Sequence, residues 1–182
     1  MNHEKPGTQG IAVLTTGGTI DKVYFDARSE FAIGDSVVDE LLKEAHVDAP
    51  YRLVEVMRKD SLELNVEDRV AIAQAVAACN ERCIVITHGT DTMTQTADVL
   101  LAANTIATST VPTDRPIFGK TVVLTGALSP ARFAKSDATF NVGMAFAAVQ
   151  SLPAGYFIVM NGQVFSAGEV RKDTANNVFV RC

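Results

Sequence analysis

The sequence predicts a three-layer αβα fold on a mostly parallel sheet, with a ligand crevice at the strands' C-terminal edge. Two observations predict it. Short unbroken apolar runs (Ile11–Thr16, Cys83–Thr87, Lys120–Thr125, Tyr156–Met160) alternate with longer stretches whose apolar residues recur at helical spacing. Strands apolar at nearly every position are buried on both faces, as happens when helices pack above and below a parallel sheet. In addition, three of the strand candidates end alike, as Leu14-Thr15-Thr16-Gly17-Gly18-Thr19, Ile86-Thr87-His88-Gly89-Thr90-Asp91 and Leu124-Thr125-Gly126. In a parallel sheet these endings share one edge, where open α/β folds place their ligands.

The elements follow in order. Ile11–Thr16 is a strand halted by Gly17-Gly18. Asp35–Val47 reads as a helix, with Asp35 and Ser36 as caps and Val38, Leu41, Leu42 and Ala45 on one face. Tyr51–Met57 alternates as a strand. Asn65 and Asp68 form a capping-box pattern that opens a helix whose apolar face is Val66, Val70, Ala73 and Ala77. After the strand Cys83–Thr87, a helix over Thr92–Asn104 presents Met93, Ala97, Leu100 and Leu101. Thr105–Pro116, rich in threonine and holding two prolines, reads as a loop or an edge excursion. The strand Lys120–Thr125, a helix over Asp137–Ser151 and the strand Tyr156–Met160 follow. Asn161-Gly162 is a hairpin signal, and Gln163–Val170 and Val178–Val180 are short strands. No repeat or linker divides the chain, so residues 1–182 are expected to form one domain with a flexible tail over 1–10.

The chain has 182 residues, long enough to bury about 70% of its unfolded surface. Its 47% hydrophobic and 20% charged residues exclude a disordered or collagen-like chain. With 16 Lys+Arg against 21 Asp+Glu the net charge is -5, which argues against a nucleic-acid partner. The apolar runs are too short to span a membrane, and the polar start Met1-Asn2-His3-Glu4-Lys5-Pro6 is unlike a signal peptide. Three cysteines cannot all pair within one chain, and a reducing cytoplasmic setting is expected. His3, His46 and His88 are scattered, and Cys79 and Cys83 have no second pair to complete a tetrahedral site. Neither a metal nor a cofactor is expected, since nucleotide-binding and serine-elbow patterns are missing as well.

The chemistry gathers at the shared edge, where hydroxyls, glycines and the carboxylate of Asp91 converge. Glycines let backbone N–H groups approach a ligand closely. Asp91 and Thr92 open a helix, whose N-terminal partial charge favours an anion or a developing oxyanion.

Thr16-Gly17-Gly18-Thr19-Ile20 and His88-Gly89-Thr90-Asp91-Thr92-Met93 resemble the two signature motifs of the asparaginase family with threonine nucleophiles. Gly126-Ala127-Leu128-Ser129-Pro130, Asp137 to Asn141 and Val159-Met160-Asn161 match later segments in order and spacing. The resemblance runs from about Ile11 to Thr174. The family's usual chains carry a second, C-terminal α/β domain, so this one resembles a short-chain form consisting of the catalytic domain.

The resemblance implies roles for particular residues. Thr19 falls on the family's first nucleophile, and Thr90 and Asp91 belong to the second motif. Lys172, in Gly168-Glu169-Val170-Arg171-Lys172, falls on the family's lysine. Ser61, in Lys59-Asp60-Ser61-Leu62, falls on the serine that holds the substrate's α-carboxylate, although Leu62 stands where the family often has a polar residue. Gly18 and Gly89 would line the substrate beside them. A loop tyrosine normally hydrogen-bonds the first threonine. Its usual spacing lands here on Phe31, which has no hydroxyl, so Tyr24 is the expected replacement.

A threonine hydroxyl needs a neighbouring base to attack. Lys172 is expected to serve through Thr90, while Asp91 orients substrate or balances charge. The activity implied is hydrolysis of L-asparagine to L-aspartate and ammonia through an acyl-enzyme. The residues leave open which threonine attacks first, and whether glutamine or an amidated product is the substrate. A non-catalytic binding module on the same fold is the reading from another class. In two-domain relatives the neighbouring subunit's C-terminal domain helps bind the substrate ammonium, so a homodimer or homotetramer is expected here.

Overall fold

The computed structural model describes residues 10–25, 30–110 and 119–182. In chain order its strands are β1 (Ile11–Gly17), β2 (Lys22–Phe25), β3 (Glu30–Ile33), β4 (Tyr51–Lys59), β5 (Cys83–Thr87), β6 (Thr121–Thr125), β7 (Gly155–Met160), β8 (Gln163–Ser166), β9 (Val170–Asp173) and β10 (Val178–Arg181). The helices are α1 (Val38–Glu44), α2 (Val66–Ala78), α3 (Met93–Thr110) and α4 (Ala138–Ser151). Six strands form one sheet in the order β4-β1-β5-β6-β7-β8. All its neighbours are parallel except β7 and β8, which turn back through Asn161 and Gly162 with φ of 53° and 71°. Positive φ at both central turn residues is what an Asn-Gly hairpin supplies.

Alternation along the central strands divides the core into two layers. Ala12, Leu14, Ile84, Ile86, Val122 and Leu124 face α2 and α3, meeting Ile72, Val76, Met93 and Leu100. Ile11, Val13, Val85 and Val123 face α1 and α4, meeting Leu41, Leu42, Val142 and Phe146. Each such side chain removed from water contributes about 1.5–3 kcal/mol, which fixes the strand register and with it the edge where the loops gather. The C-terminal end of α2 rests on Lys120, whose buried Nζ donates to the carbonyls of Val76 and Cys79 at 2.7 and 2.5 Å. Cys79, Cys83 and Cys182 are free, and the first two thiols donate to carbonyls of Ala75 and Val149.

Several expectations need correction. On α2 the buried face is Arg69, Ile72 and Val76, while Val66 and Val70 are exposed. Alanines run right round this helix, so periodicity alone could not pick the face that docks. Leu101 is likewise exposed on α3. That helix continues to Thr110, so the backbone of residues 105–110 is helical rather than loop, and 111–116 lie outside the described residues. Residues 1–9, the greater part of the expected tail, also lie outside them. Asp35 does not cap α1. The Val37 N–H that precedes the helix donates 3.0 Å to Asp21, and Ser36 Oγ accepts only a long 3.4 Å bond from Val38. Gln163–Val170 is split between β8 and the start of β9, so that Lys172 lies on a second hairpin, β9–β10. The capping box at Asn65 and Asp68 is present, with both reciprocal bonds formed.

Candidate active site

β1 and β5 are parallel neighbours paired from Ile11–Cys83 to Thr15–Thr87, so the two motif loops leave the sheet side by side. Thr19 starts a single 3-10 turn directly after β1, and Thr90 follows β5 by three residues. What joins the loops is a contact between backbones. A Cβ on Gly18, where φ is 91°, would sit 2.5 Å from Gly89 Cα, and one on Gly89 would sit 2.6 Å from Ser61 Oγ. Any side chain at either glycine would separate the three segments. Gly18, Gly89 and Ser61 are thus stacked, and Thr19 and Thr90 each follow one residue on.

Ser61 arrives by way of β4. Gly17 pairs with Lys59 across a bulge, and the chain then turns through Asp60 into the 3-10 turn Ser61–Glu63. Asp60 accepts from the Leu62 N–H at 3.1 Å and pairs with Lys22 at 2.8 Å. Burial would raise its carboxyl, yet Lys22 and that N–H outweigh the burial and hold it below the usual carboxylate range. The Thr92 hydroxyl donates to the Ser61 carbonyl at 2.7 Å, while the Ser61 hydroxyl is buried with no hydrogen-bond partner among the described residues.

Lys172 reaches the same edge from β9. Its Nζ donates to Thr90 Oγ1 at 2.8 Å and to Asp91 Oδ1 at 2.6 Å. The lysine side chain is 9% exposed and that of Asp91 43%, so the ion pair has one buried and one open end. Across the hairpin Lys172 pairs with Phe179, a buried core residue whose N–H donates 2.9 Å to Asn161 Oδ1. The β7–β8 turn therefore anchors β10, the strand paired with the one that carries the lysine.

His88 is fully buried. Its Nδ1 lies 2.7 Å from the Gly89 carbonyl and its Nε2 2.9 Å from Thr96 Oγ1. This arrangement suits a neutral ring with the proton on Nδ1 and the Thr96 hydroxyl donating to Nε2. Burial pushes its pKa down to about 4, with the nearby Arg69 charge adding to the effect. The loop after β6 is held by Asp137, which accepts from the N–H groups of Leu128 and Ser129 and from Asn141 Nδ2. Asn141 Nδ2 also donates to the Gly126 carbonyl at 3.0 Å.

Two of the strand-end threonines do other work than expected. Thr16 Oγ1 donates to the Thr87 carbonyl and Thr125 Oγ1 to the Val159 carbonyl, each at 2.9 Å, so these hydroxyls tie neighbouring strands together. Tyr24 stands on the β2–β3 hairpin opposite Phe31, with ring centroids 5.2 Å apart, and is 50% exposed. Among the described residues no hydrogen bond joins Tyr24 to Thr19.

Sequence reasoning missed Asp21. It is buried directly behind the Thr19 turn, where its carboxylate accepts from the Val37 N–H and its carbonyl from the Gly34 N–H. Burial raises its carboxyl above the ordinary value despite bonds from Val37 and Ser36. An acid inside the apolar stretch around Ile20 was the available signal. Arg69 was missed too, because an arginine seldom marks the buried face of a helix.

The family described as asparaginase, N-terminal, matches residues 10–179. The chain belongs to the asparaginase family. It is 30% identical over 180 residues to a probable periplasmic L-asparaginase of Haemophilus influenzae, covering 92% of this chain and 47% of that one. It is 29% identical over 177 residues to L-asparaginase 2 of Escherichia coli, with the same coverage. The solved thermostable L-asparaginase from Thermococcus kodakarensis superposes with a TM-score of 0.77 at 27% identity, over 94% of this chain and 51% of that structure. This asparaginase-family chain thus spans about half the length of the curated relatives it matches.

Proposed function

We propose that the protein is an amidohydrolase that converts L-asparagine to L-aspartate and ammonia through a threonine acyl-enzyme. The observation that carries this reading is the Thr90–Lys172–Asp91 chain, held beside Thr19 by the Gly18–Gly89 contact. The Thr19 oxygen adds to the side-chain amide carbon, and its proton passes into the Thr90–Lys172–Asp91 chain. The C–N bond then breaks, and the nitrogen takes a proton from that chain and leaves as ammonia. Water adds to the resulting ester with the same relay. The C–O bond breaks and the proton returns to Thr19, so the relay's charge is unchanged after each half.

Backbone N–H groups at Gly89 and Thr90 would face the developing oxyanion, a term worth about 3 kcal/mol per donor. Ser61 holds the substrate's α-carboxylate, with Gly18 and Gly89 allowing close approach, and Asp91 takes its amine. Tyr24 assists Thr19 from the β2–β3 hairpin. The catalytic unit works as a homo-oligomer, because Leu62, next to Ser61, and Val66, at the start of α2, are apolar yet 71% and 70% exposed.

The test is ammonia release, with L-asparagine and L-glutamine compared. Turnover of asparagine is expected to exceed that of glutamine. Release from glutamine alone would reassign the substrate. A protein that releases ammonia from neither, while remaining folded, would contradict the reading.

A further inference from the structure

Beneath the Ser61 turn lies a buried cation that the proposed reaction has not used. Arg69, on the inner face of α2, is 7% exposed. Its Nη1 donates to the carbonyls of Leu64 and Asn65 at 2.7 and 3.0 Å, and its Nη2 to Gln95 Oε1 on α3 at 3.1 Å. Its Nε is buried without a partner among the described residues. Leu64 N–H donates in turn to the Ser61 carbonyl, which Thr92 also holds. The guanidinium therefore braces the turn that presents Ser61, binding its exit to α3.

Three of the acids around it have cations of their own. Asp68, one residue away, pairs through both oxygens with Lys59; Asp60 pairs with Lys22, and Asp91 with Lys172. Among the described residues no carboxylate lies within ion-pair distance of Arg69. Asp68, held below the usual carboxylate range chiefly by Lys59, also feels the Arg69 charge, and an anion bound nearby would further offset the cost of burying the guanidinium. The first turn of α2 adds positive partial charge in the same place, against which stand the carboxylates of Glu67 and Asp68. The Ser61 hydroxyl, also buried and unpartnered among the described residues, is the donor that such an anion would accept from. His88 already feels the Arg69 charge, and it adjoins Gly89, which packs on Ser61.

We propose that Arg69 is a positioning residue for carboxylate recognition, holding the Ser61 turn and supplying the positive charge that selects substrates bearing an α-carboxylate. This rests on the amide-hydrolysis reading and adds the source of its carboxylate preference. The guanidinium acts through Ser61 and through the field at that end of the site, without touching the reacting amide.

The test compares L-asparagine with 3-aminopropanamide, the same molecule without its α-carboxylate, used as substrate or as competitor. Arg69→Met is expected to raise KM for asparagine about tenfold or more, with kcat within about threefold and the constant for 3-aminopropanamide unchanged. Arg69→Gln, which keeps a hydrogen-bonding end but no charge, should match Arg69→Met and serves if that variant does not fold. Arg69→Lys should recover most of the asparagine affinity. Equal weakening toward both compounds, or a loss confined to kcat, would overturn the proposal by showing a merely structural role. If wild-type protein hydrolyses no asparagine, calorimetry with L-aspartate and β-alanine separates the two readings. Aspartate binding that Arg69→Gln abolishes while β-alanine is unaffected keeps the Arg69 assignment and loses only hydrolysis. Wild-type protein that binds neither overturns both.

Discussion

Lys172 donates a 2.8 Å hydrogen bond to the hydroxyl of Thr90, a residue 82 positions earlier in the chain. The bond joins the β9–β10 hairpin to the loop after β5, and Asp91 closes it with a 2.6 Å ion pair. If the three act as one relay, their losses should not add. Thr90→Val and Lys172→Met are each expected to lower kcat for asparagine by about a thousandfold, and the double variant should be little worse than either single one. Steady-state kinetics on the three proteins checks this, and multiplicative losses would separate the two residues.

The contact between the motif loops predicts a strict requirement at Gly18. Gly18→Ala adds a Cβ to a backbone with φ of 91° and drives it into Gly89. The strain costs about 1–3 kcal/mol, and the shifted loop separates Thr19 from Thr90. Thermal unfolding should show a moderate drop in Tm, and kcat should fall by at least about a hundredfold. A variant with wild-type turnover would mean that the close packing of the loops is not needed.

His88 gives the fold a pH dependence of defined sign. Burial pushes its pKa down to about 4 in the folded state, against about 6.5 when unfolded. Between those values the unfolded chain binds more protons, so the full contribution is present above about pH 6.5 and is lost as pH falls toward 4. The loss amounts to about 3 kcal/mol at most. Asp21, raised by burial, acts in the opposite sense as it becomes protonated, and it partly offsets the slope. Urea unfolding from pH 7 to 4.5 should show declining stability, and His88→Gln should flatten that decline. An unchanged slope in the variant would place the titration elsewhere.

The sheet was legible because its central strands are apolar at nearly every position and end in the same Thr-Gly pattern. The gathering of Gly18, Gly89, Thr90 and Asp91 at one edge was legible from the strand endings, whereas Ser61 and Lys172 were placed there by the family resemblance alone. What escaped the sequence depends on tertiary choice. α2 has apolar residues all round, so only its docking shows that Arg69, Ile72 and Val76 face inward. The β2–β3 hairpin and the buried Asp21 behind it become visible only when Gly34 and Val37 are brought back to the Thr19 turn. Thr16 and Thr125 look like site hydroxyls in the sequence, yet each bonds to a neighbouring strand's carbonyl.

The exposed apolar stripe Leu62, Val66 and Val70 predicts self-association close to the site. Light scattering should give at least a dimer at working concentrations. Replacing Leu62 and Val66 by Glu should shift the protein toward monomer and raise KM for asparagine. A wild-type monomer throughout would remove the assembly from the account.

The central claim is that Thr19 forms the acyl-enzyme, and Thr19→Val tests it most directly. Valine keeps the β-branched shape and removes the hydroxyl, so the half-buried turn should retain its fold. Ammonia release from L-asparagine by folded Thr19→Val protein should fall by at least about a thousandfold below wild type, with no covalent intermediate on rapid quenching. Turnover near the wild-type rate would contradict the account.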